Sequence, residues 1–235
     1  AGPDARDRSA RHHPVPDYLG ACAGTLQGLR VGWDEAYATE GVDPVLAQAI
    51  QAAGDVLTDA GATLVPLDLP DRTDALQAGA IILHSDVALA HAETFDANRE
   101  AYGPHLSELI NIGRELNAVD LAHAHDVRRS WTGELEAVFE GIDALLCPPT
   151  VAPAPPAHLT TNLSGDFRTQ ARFFGFTLPY TVSGSPSLTV PCGFTEGGLP
   201  LAFQLIGPHF SEADLLKIGH VYQEATHWHE QHPSG

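Results

Sequence analysis

The chain has 235 residues, of which 43% are hydrophobic and 18% are charged, and its 12 Lys and Arg against 30 Asp and Glu give a formal net charge of −18 at pH 7. This apolar content suffices for a buried core and excludes a disordered chain, while the negative charge opposes binding to the phosphates of nucleic acids. No apolar run approaches the ~20 residues that a membrane-spanning helix needs. The three cysteines are odd in number and far apart, which indicates a reducing compartment rather than a disulfide framework. We therefore expect an acidic cytoplasmic protein that binds neither nucleic acid nor membrane.

Residues 1–27 are rich in Pro, Arg, Asp and His and lack the periodicity of a helix or a strand. We expect them to form an extended N-terminal arm, followed by a single α/β unit over residues 28–235. The sequence opens on Ala1 and contains no methionine, from which we expect that the chain is cut from a longer polypeptide.

A strand, a helix and a second strand are predicted at the start of the α/β unit. Residues 28–33 form a short β-rich run, and Asp43 is a favourable N-cap ahead of Pro44 at the first helical position. Apolar residues then recur every three or four positions up to Gly61, as on the buried face of an amphipathic helix. Residues 62–67 predict the second strand. A βαβ arrangement of this length implies parallel strands.

The middle of the chain is predicted to be mostly helical. Residues 71–140 carry helical apolar spacing, and breaks are expected near residues 103–104 and 113–117. Residues 142–147 predict a short, nearly uncharged strand. They are followed by residues 148–156, whose prolines predict a stiff loop that cannot join a sheet.

The C-terminal part predicts a β-hairpin followed by a helix. Residues 187–194 and 199–206 are β-rich and are joined by a Thr-Glu-Gly-Gly turn. Ser211, with Asp214 three residues later, predicts a capping box, and Pro233 predicts the end of the helix. The fold class is therefore predicted to be α/β, with a mixed β-sheet flanked by helices.

Local motifs identify no catalytic or metal centre. The sequence has no G-x-S-x-G, P-loop or G-x-G-x-x-G pattern. The terminal HWHEQH stretch misses the H-E-x-x-H zinc pattern by one residue, so a solvated helix end is favoured over a metal site. The run Ser183–Ser187 is rich in serine but has no neighbouring base, and it is favoured as a turn before a strand. Cys147 and Cys192 are expected to be small buried hydrophobes.

Four short motifs follow one another within residues 178–233: Gly184-Ser185-Pro186, Pro191-Cys192-Gly193, Gly198-Leu199-Pro200 and Gln204-Leu205-Ile206-Gly207. In this order they resemble the C-terminal region of the amidase signature family. Upstream, the GPDARD run at residues 2–7, the GLRVG run at residues 28–32 and the DALLCPPT run at residues 143–150 also resemble family segments. The resemblance therefore covers essentially the whole chain.

The resemblance implies a hydrolase of carboxamide C–N bonds that works through an acyl-enzyme and a Ser–cis-Ser–Lys triad, without metal or organic cofactor. In the family these residues lie in a Gly/Ser-rich signature upstream of a segment similar to GPDARD. This chain has no such signature, and its only lysine, Lys217, lies in the predicted last helix, where we expect it to be solvated. No residue here is thus predicted to be catalytic. The chain resembles the C-terminal part of an amidase-signature fold and is expected to be inactive alone.

Candidate substrate-contacting residues follow from the same resemblance. They are expected to line the cleft or to lie under its floor: Thr150, Phe173, Phe174, Ser183, Gly184, Ser185 and Cys192. For the two phenylalanines, packing in the core is an equally open alternative.

The expected partner is the other half of the same enzyme. In the family that half carries part of the same sheet, so this chain alone would expose strand edges and an apolar face. We expect this surface to be covered by the N-terminal half or by a second copy in a homo-oligomer, and the ligand to be a small amide. Two other functions stay open: a non-catalytic binding or regulatory protein that kept this half of the fold, and a metal-binding protein that uses the terminal histidines.

Overall fold

A five-stranded mixed sheet lies at the centre of the computed structural model, which describes residues 3–7, 13–156 and 174–232. The strands are β1 (Arg30–Trp33), β2 (Thr63–Pro66), β3 (Ala144–Cys147), β4 (Ser187–Phe194) and β5 (Pro200–Ile206). Their order in the sheet is β2-β1-β3-β5-β4. The first three in this order are parallel, whereas β5 runs antiparallel to both β3 and β4. The predicted α/β class with a mixed sheet is therefore confirmed.

Helices flank the sheet in the described part of the chain. They are α1 (Tyr18–Cys22), α2 (Glu35–Thr39), α3 (Pro44–Asp59), α4 (Thr73–Ala90), α5 (Pro104–Glu115), α6 (Ala118–Phe139), α7 (Leu178–Ser183) and α8 (Glu212–Thr226), with single 3₁₀ turns at Arg99–Ala101 and Trp228–Glu230. Among the residues described, no helix combines the length and the apolar character needed to span a membrane.

The predicted βαβ unit is confirmed. The Asp43 carboxylate accepts a hydrogen bond from the Val45 N–H at 2.9 Å and so caps α3, with Pro44 in the first turn. The apolar face of α3 is buried, and β1 pairs in parallel with β2 so that Arg30 lies opposite Thr63. The helical middle segment is confirmed as well, with breaks between α4 and α5 and between α5 and α6.

The two faces of the sheet carry different helices. On one face lie α3 and α8, and Gly219 of α8 lies against Leu188 of β4. On the other face lies α7, where the Gln204 side-chain amide of β5 donates a hydrogen bond to the Phe176 carbonyl at 2.8 Å. Helices α4 and α6 pack against α7, and α5 packs on α4. The short α7 is therefore the element that separates the sheet from the outer helices on this face.

The N-terminal segment differs from the extended arm that the sequence predicts. Residues 18–22 form α1 because the Asp17 carboxylate accepts a hydrogen bond from the Gly20 N–H at 2.9 Å. This helix packs against α8, and Leu26, which follows it, is fully buried. A five-residue helix carries too little periodicity to be visible in a sequence rich in Pro and Asp.

The last helix begins after Ser211 as predicted, but its predicted capping box and its predicted C-terminal end are wrong. The Ser211 hydroxyl donates to the Pro208 carbonyl at 2.7 Å and makes no capping bond, so the expected capping box with Asp214 does not form. The helix ends at Thr226, because His227 takes a left-handed conformation with φ of 60° and its N–H donates to the Gln223 carbonyl at 3.2 Å.

Candidate functional site

A buried polar cluster lies under the carboxyl ends of β1 and β3. The Gln204 side-chain amide reaches the Cys147 sulfur at 3.7 Å in addition to its bond to the Phe176 carbonyl. The Tyr180 hydroxyl donates to the Tyr37 hydroxyl at 3.0 Å, and all five residues are at most 7% exposed. The cluster joins α2, α7 and two strands through hydrogen bonds that water cannot easily replace.

Ionisation of this cluster is suppressed at neutral pH. Burial raises the pKa of the Cys147 thiol to about 12, and burial also raises the pKa of Tyr37 and that of Tyr180 well above the usual phenol range. A nucleophilic cysteine needs a thiolate, and a phenol acts as a base only when it is deprotonated. The cluster therefore stabilises the packing of α2 and α7 on the sheet, and it is not suited to supplying a nucleophile or a base. The prediction that Cys147 is a buried small hydrophobe is confirmed.

The strand order predicts a crevice beside this cluster. The chain leaves β1 towards β2 on one side and leaves β3 towards β4 and β5 on the other, so β1 and β3 flank a topological switch point. In open α/β sheets, ligands bind at the carboxyl ends of the strands at such a point. Thr150 follows β3 by three residues and is half-buried, and the next carbonyl, of Val151, accepts a hydrogen bond from the Asp43 N–H at 2.7 Å. The proline-rich loop is thus fixed at the start of α3, just after the carboxyl end of β3.

Phe174 lies on the same side as Thr150. It precedes Phe176, whose carbonyl is held by Gln204 near the end of β3, and 51% of Phe174 is exposed. An aromatic ring left half in solvent is not part of the packed core. Phe173 lies outside the described residues.

The turn Ser183–Ser185 lies at the opposite end of the strands, beside the amino end of β3. Leu145, near the start of β3, pairs with Ile206 of β5, and the Pro186 carbonyl accepts a hydrogen bond from the Gly207 N–H at 3.0 Å. Residues just before Pro186 therefore lie beside the amino end of β3, whereas Thr150 follows its carboxyl end. The structure does not bring these two groups of candidate residues together.

A cavity of about 700 Å³ adjoins this turn. It is bounded by α6, by the end of α7 and by the segment after β5, and its lining includes Arg128, Glu136, Ser183, Gly184, His209 and Phe210. His209 lies between two elements, with Nε2 at 2.9 Å from the Ser183 carbonyl and Nδ1 at 3.5 Å from the Glu136 carboxylate. Gly184 has φ of 78°, a left-handed conformation that most side chains resist.

This Ser–His–Glu group is not a catalytic triad. A ring nitrogen that faces a carbonyl must carry the proton and donate it, so His209 Nε2 cannot also act as the base for the Ser183 hydroxyl. The hydroxyl itself lies 3.0 Å from the Tyr180 carbonyl, to which it donates, and 2.9 Å from the Ser185 hydroxyl. The group holds the end of α7 against α6 in place of activating a nucleophile.

Cys192 and Lys217 lie on the other face of the sheet. Cys192 is 6% exposed and lies near Tyr222 of α8, and burial raises the pKa of its thiol to about 12. The Lys217 amine donates to the Asp214 carboxylate at 2.9 Å, and its side chain is only 23% exposed and lies along Gly24. The expectation of a solvated lysine is wrong, because the segment after α1 covers its methylene groups.

The histidines do not form a metal centre in the described structure. Across residues 3–7, 13–156 and 174–232, no three His, Cys, Asp or Glu side chains are arranged to hold a metal ion. His227 and His229 instead face Glu230 at 3.7 Å and 4.0 Å, on the exposed turn after α8.

Sequence reasoning missed Arg72, Tyr37, Tyr180 and Gln204. Arg72 places its guanidinium 4.3 Å from the centroid of the Tyr37 ring. These residues are far apart in the chain, and only the packing of α2, α4 and α7 on the sheet brings them together. The one local signal is the position of Tyr37, which lies in α2 soon after the carboxyl end of β1.

Known proteins that resemble this chain belong to the amidase family or are amidotransferase subunits. The family model named Amidase matches residues 1–216. The chain is 33% identical over 257 residues to a glutamyl-tRNA(Gln) amidotransferase subunit from Chloroflexus aggregans (strain MD-66 / DSM 9485), and the match covers 99% of this chain and 52% of that protein. It is 30% identical over 260 residues to the corresponding protein from Pseudomonas putida (strain W619), and this match covers 100% of this chain and 53% of that protein. The chain thus spans about half the length of these curated relatives.

Solved structures share the fold. A 6-aminohexanoate cyclic dimer hydrolase complexed with substrate matches with a TM-score of 0.84 and 21% identity, over 99% of this chain and 52% of that one. A bacterial aryl acylamidase of the amidase signature enzymes family matches with a TM-score of 0.79 and 20% identity, over 97% of this chain and 50% of that one. At these identities the likeness shows the fold.

Proposed function

The chain belongs to the amidase family, and from this premise we propose that it is the C-terminal portion of an amidohydrolase that cleaves carboxamide C–N bonds. In this proposal the Ser–cis-Ser–Lys triad lies outside residues 1–235, and this chain supplies part of the sheet and of the substrate cleft. The observation that carries the proposal is the family match over residues 1–216 by a chain that spans about half of its relatives.

The position of Lys217 supports a triad elsewhere. It is the only lysine of the chain, and its amine is paired with Asp214 on the face of α8, across the sheet from α7. A lysine that serves as a base has to be neutral near pH 7, which needs desolvation without a carboxylate partner. Lys217 has that partner, so we propose that the base is supplied by the other half.

We propose that the N-terminal half of the same enzyme covers the β4 edge of the sheet, with a second copy of this chain as the alternative occupant. Within the described residues β4 has one strand neighbour, β5, and Ser187 and Thr189 of β4 are exposed. Unpaired edge groups and short polar side chains of this kind allow another strand to be added. Residues 28–235 are proposed to act as one unit in this assembly.

We propose two kinds of substrate contact for the candidate residues. Thr150 and Phe174, with Phe173, contact the amide substrate at the switch-point crevice. The turn Ser183–Ser185 lies at the opposite end of the strands and shapes the cleft as part of the lining of the cavity next to it. Cys192, which faces α8, supports β4 from beneath and does not touch the ligand.

The three cysteines support a reducing location. Cys22, Cys147 and Cys192 are all free thiols in the structure, and disulfides form in oxidising compartments. We propose a cytoplasmic enzyme on this basis.

Complementation tests the proposed function. Residues 1–235 are expressed alone and together with a Gly/Ser-rich N-terminal portion of an amidase, and release of ammonia from simple amides is measured. Hydrolysis is expected only in the co-expressed sample, and a Lys217→Gln variant is expected to retain it. Hydrolysis at enzyme-like rates by residues 1–235 alone would show that the triad is not elsewhere, and full loss in Lys217→Gln with an intact fold would assign the base to this chain.

A further inference from the structure

The Arg72 guanidinium lies against two aromatic rings at the switch-point crevice, and these rings contact each other with centroids 4.8 Å apart. Its central carbon lies 4.3 Å from the centroid of the Tyr37 ring and 5.5 Å from that of Phe176. Tyr37 follows the end of β1, and Phe176 is fixed near the end of β3 by Gln204. A permanent positive charge is therefore positioned where an open α/β sheet binds its ligand.

Local structure does not explain why an arginine occupies this position. Arg72 is the N-cap residue of α4, but it carries no acceptor and makes no capping bond. The N-terminal end of a helix carries partial positive charge, so a cation there is electrostatically unfavourable. Its Nε is also buried and has no hydrogen-bond partner among the residues that the structure describes. Positions that break local rules in this way are often functional.

The nearby carboxylates are engaged with other groups. Asp71 accepts hydrogen bonds from the Thr73 N–H and hydroxyl at 2.9 Å and 2.7 Å. Asp34 accepts from the Tyr37 and Leu69 N–H groups at 2.9 Å and 2.7 Å. No ion pair of Arg72 is formed within the described residues, so its N–H donors are not used by these acids.

We propose that Arg72 binds the carboxylate of a small organic acid at the crevice between the ends of β1 and β3. The rings of Tyr37 and Phe176 hold the guanidinium in place from one side, and its terminal N–H groups donate to the carboxylate oxygens in charge-assisted hydrogen bonds. An anion here would be stabilised by the guanidinium charge and by the partial positive charge at the N-terminal end of α4. The proposal rests on the proposed function only for the origin of the acid, because hydrolysis of an amide by water yields a carboxylic acid and an amine.

Titration of the Arg72 side chain tests this site without requiring amidase activity. The Nε–H resonance of Arg72 is identified in ¹⁵N spectra of residues 1–235 by its loss in Arg72→Lys, and it is followed during addition of sodium butyrate. Butyramide is the matched neutral probe, sodium chloride controls for ionic strength, and exposed Arg129 is the internal control. A saturable shift with butyrate is expected, with binding of butyramide at least about tenfold weaker.

Two results would overturn the proposal. One is an Arg72 resonance that responds equally to butyrate, butyramide and chloride. The other is a partner within the chain: residues 157–173 contain one carboxylate, Asp166, and a shift of the Arg72 resonance in Asp166→Asn as large as that caused by butyrate would assign the Nε partner to that residue. Glutaramate distinguishes the two sources of the acid. If glutaramate binds more tightly than butyrate, the carboxylate belongs to a substrate that carries its own acid group. If the two bind equally, the carboxylate belongs to a product acid.

Discussion

The buried hydroxyl of Tyr180 donates a hydrogen bond to the Tyr37 hydroxyl at 3.0 Å and so joins α7 to α2 across the ends of β1 and β3. The two residues are 143 positions apart in the chain, and each is at most 7% exposed. Because neither hydroxyl reaches bulk water, the bond fixes the position of Phe176 and of the crevice beside it. Substitution of either tyrosine therefore tests the packing of α7 against α2.

Tyr180→Phe is expected to lower the free energy of unfolding by about 1–3 kcal/mol, because it leaves the buried Tyr37 hydroxyl without its donor. The double variant Tyr37→Phe with Tyr180→Phe is expected to lose less than the sum of the single losses, since no orphaned hydroxyl remains. Urea unfolding of the four proteins measures both quantities. Strictly additive losses would show that the two hydroxyls do not interact.

Stability is expected to fall as the pH rises from about 9 to about 12. The unfolded chain releases its thiol protons near a pKa of 9.0, whereas the folded chain keeps those of Cys147 and Cys192 up to a pKa of about 12. In this window the unfolded state binds fewer protons, so alkali favours unfolding. Urea midpoints across the window measure the slope, and Cys147→Ala is expected to make it shallower. A midpoint that is independent of pH up to 11 would contradict the described burial of the thiols.

Gly113 and Gly133 form a matched pair for testing the packing of α5 on α4. A methyl group at Gly113 would collide with the His84 carbonyl of α4, whereas one at Gly133 would meet nothing within 4 Å. Gly113→Ala is therefore expected to destabilise the fold by about 1–3 kcal/mol. Gly133→Ala is expected to stabilise it by up to about 1 kcal/mol, through better helix propensity. Thermal unfolding compares the two, and equal effects would contradict the described contact.

Phe174→Ala is expected to raise the KM of the complemented enzyme for amides with apolar acyl groups by about tenfold, because removing an aromatic contact costs on the order of 1–2 kcal/mol. Leu199→Ala, at a similarly exposed position in the hairpin turn, is the matched control and is expected to leave KM unchanged. Steady-state kinetics on a series of acyl chain lengths provides the measurement. An unchanged KM in Phe174→Ala would remove this residue from the substrate cleft.

Local sequence patterns predicted the elements whose signals are themselves local. The Asp43 cap with Pro44, the apolar face of α3 and the turn of the β4–β5 hairpin each depend on neighbouring residues, and all three are present. The capping box at Ser211 failed because the Pro208 carbonyl competes for the same hydroxyl. Such competition depends on how the preceding turn folds, which the S-x-x-D spacing does not contain.

The candidate site was less accessible to sequence reasoning, because its geometry depends on strand order. Thr150 lies in a proline-rich loop and Ser183 lies in a serine-rich turn. The antiparallel pairing of β3 with β5 places these two residues at opposite ends of the strands. Arg72 had no motif to mark it, since its environment is made by Tyr37 and Phe176. The Arg72 Nε is buried and has no hydrogen-bond partner among the described residues, and only the three-dimensional structure reveals this.

Covalent labelling of the complemented enzyme tests the central claim most directly. A fluorophosphonate that reacts with activated serines is added to the active assembly, and mass spectrometry of separated, digested chains locates the label. We expect the label to lie on the N-terminal portion, residues 1–235 to remain unlabelled, and Ser183→Ala to leave the extent of labelling unchanged. A stoichiometric label on Ser183, Ser185 or any other serine of this chain would contradict the claim.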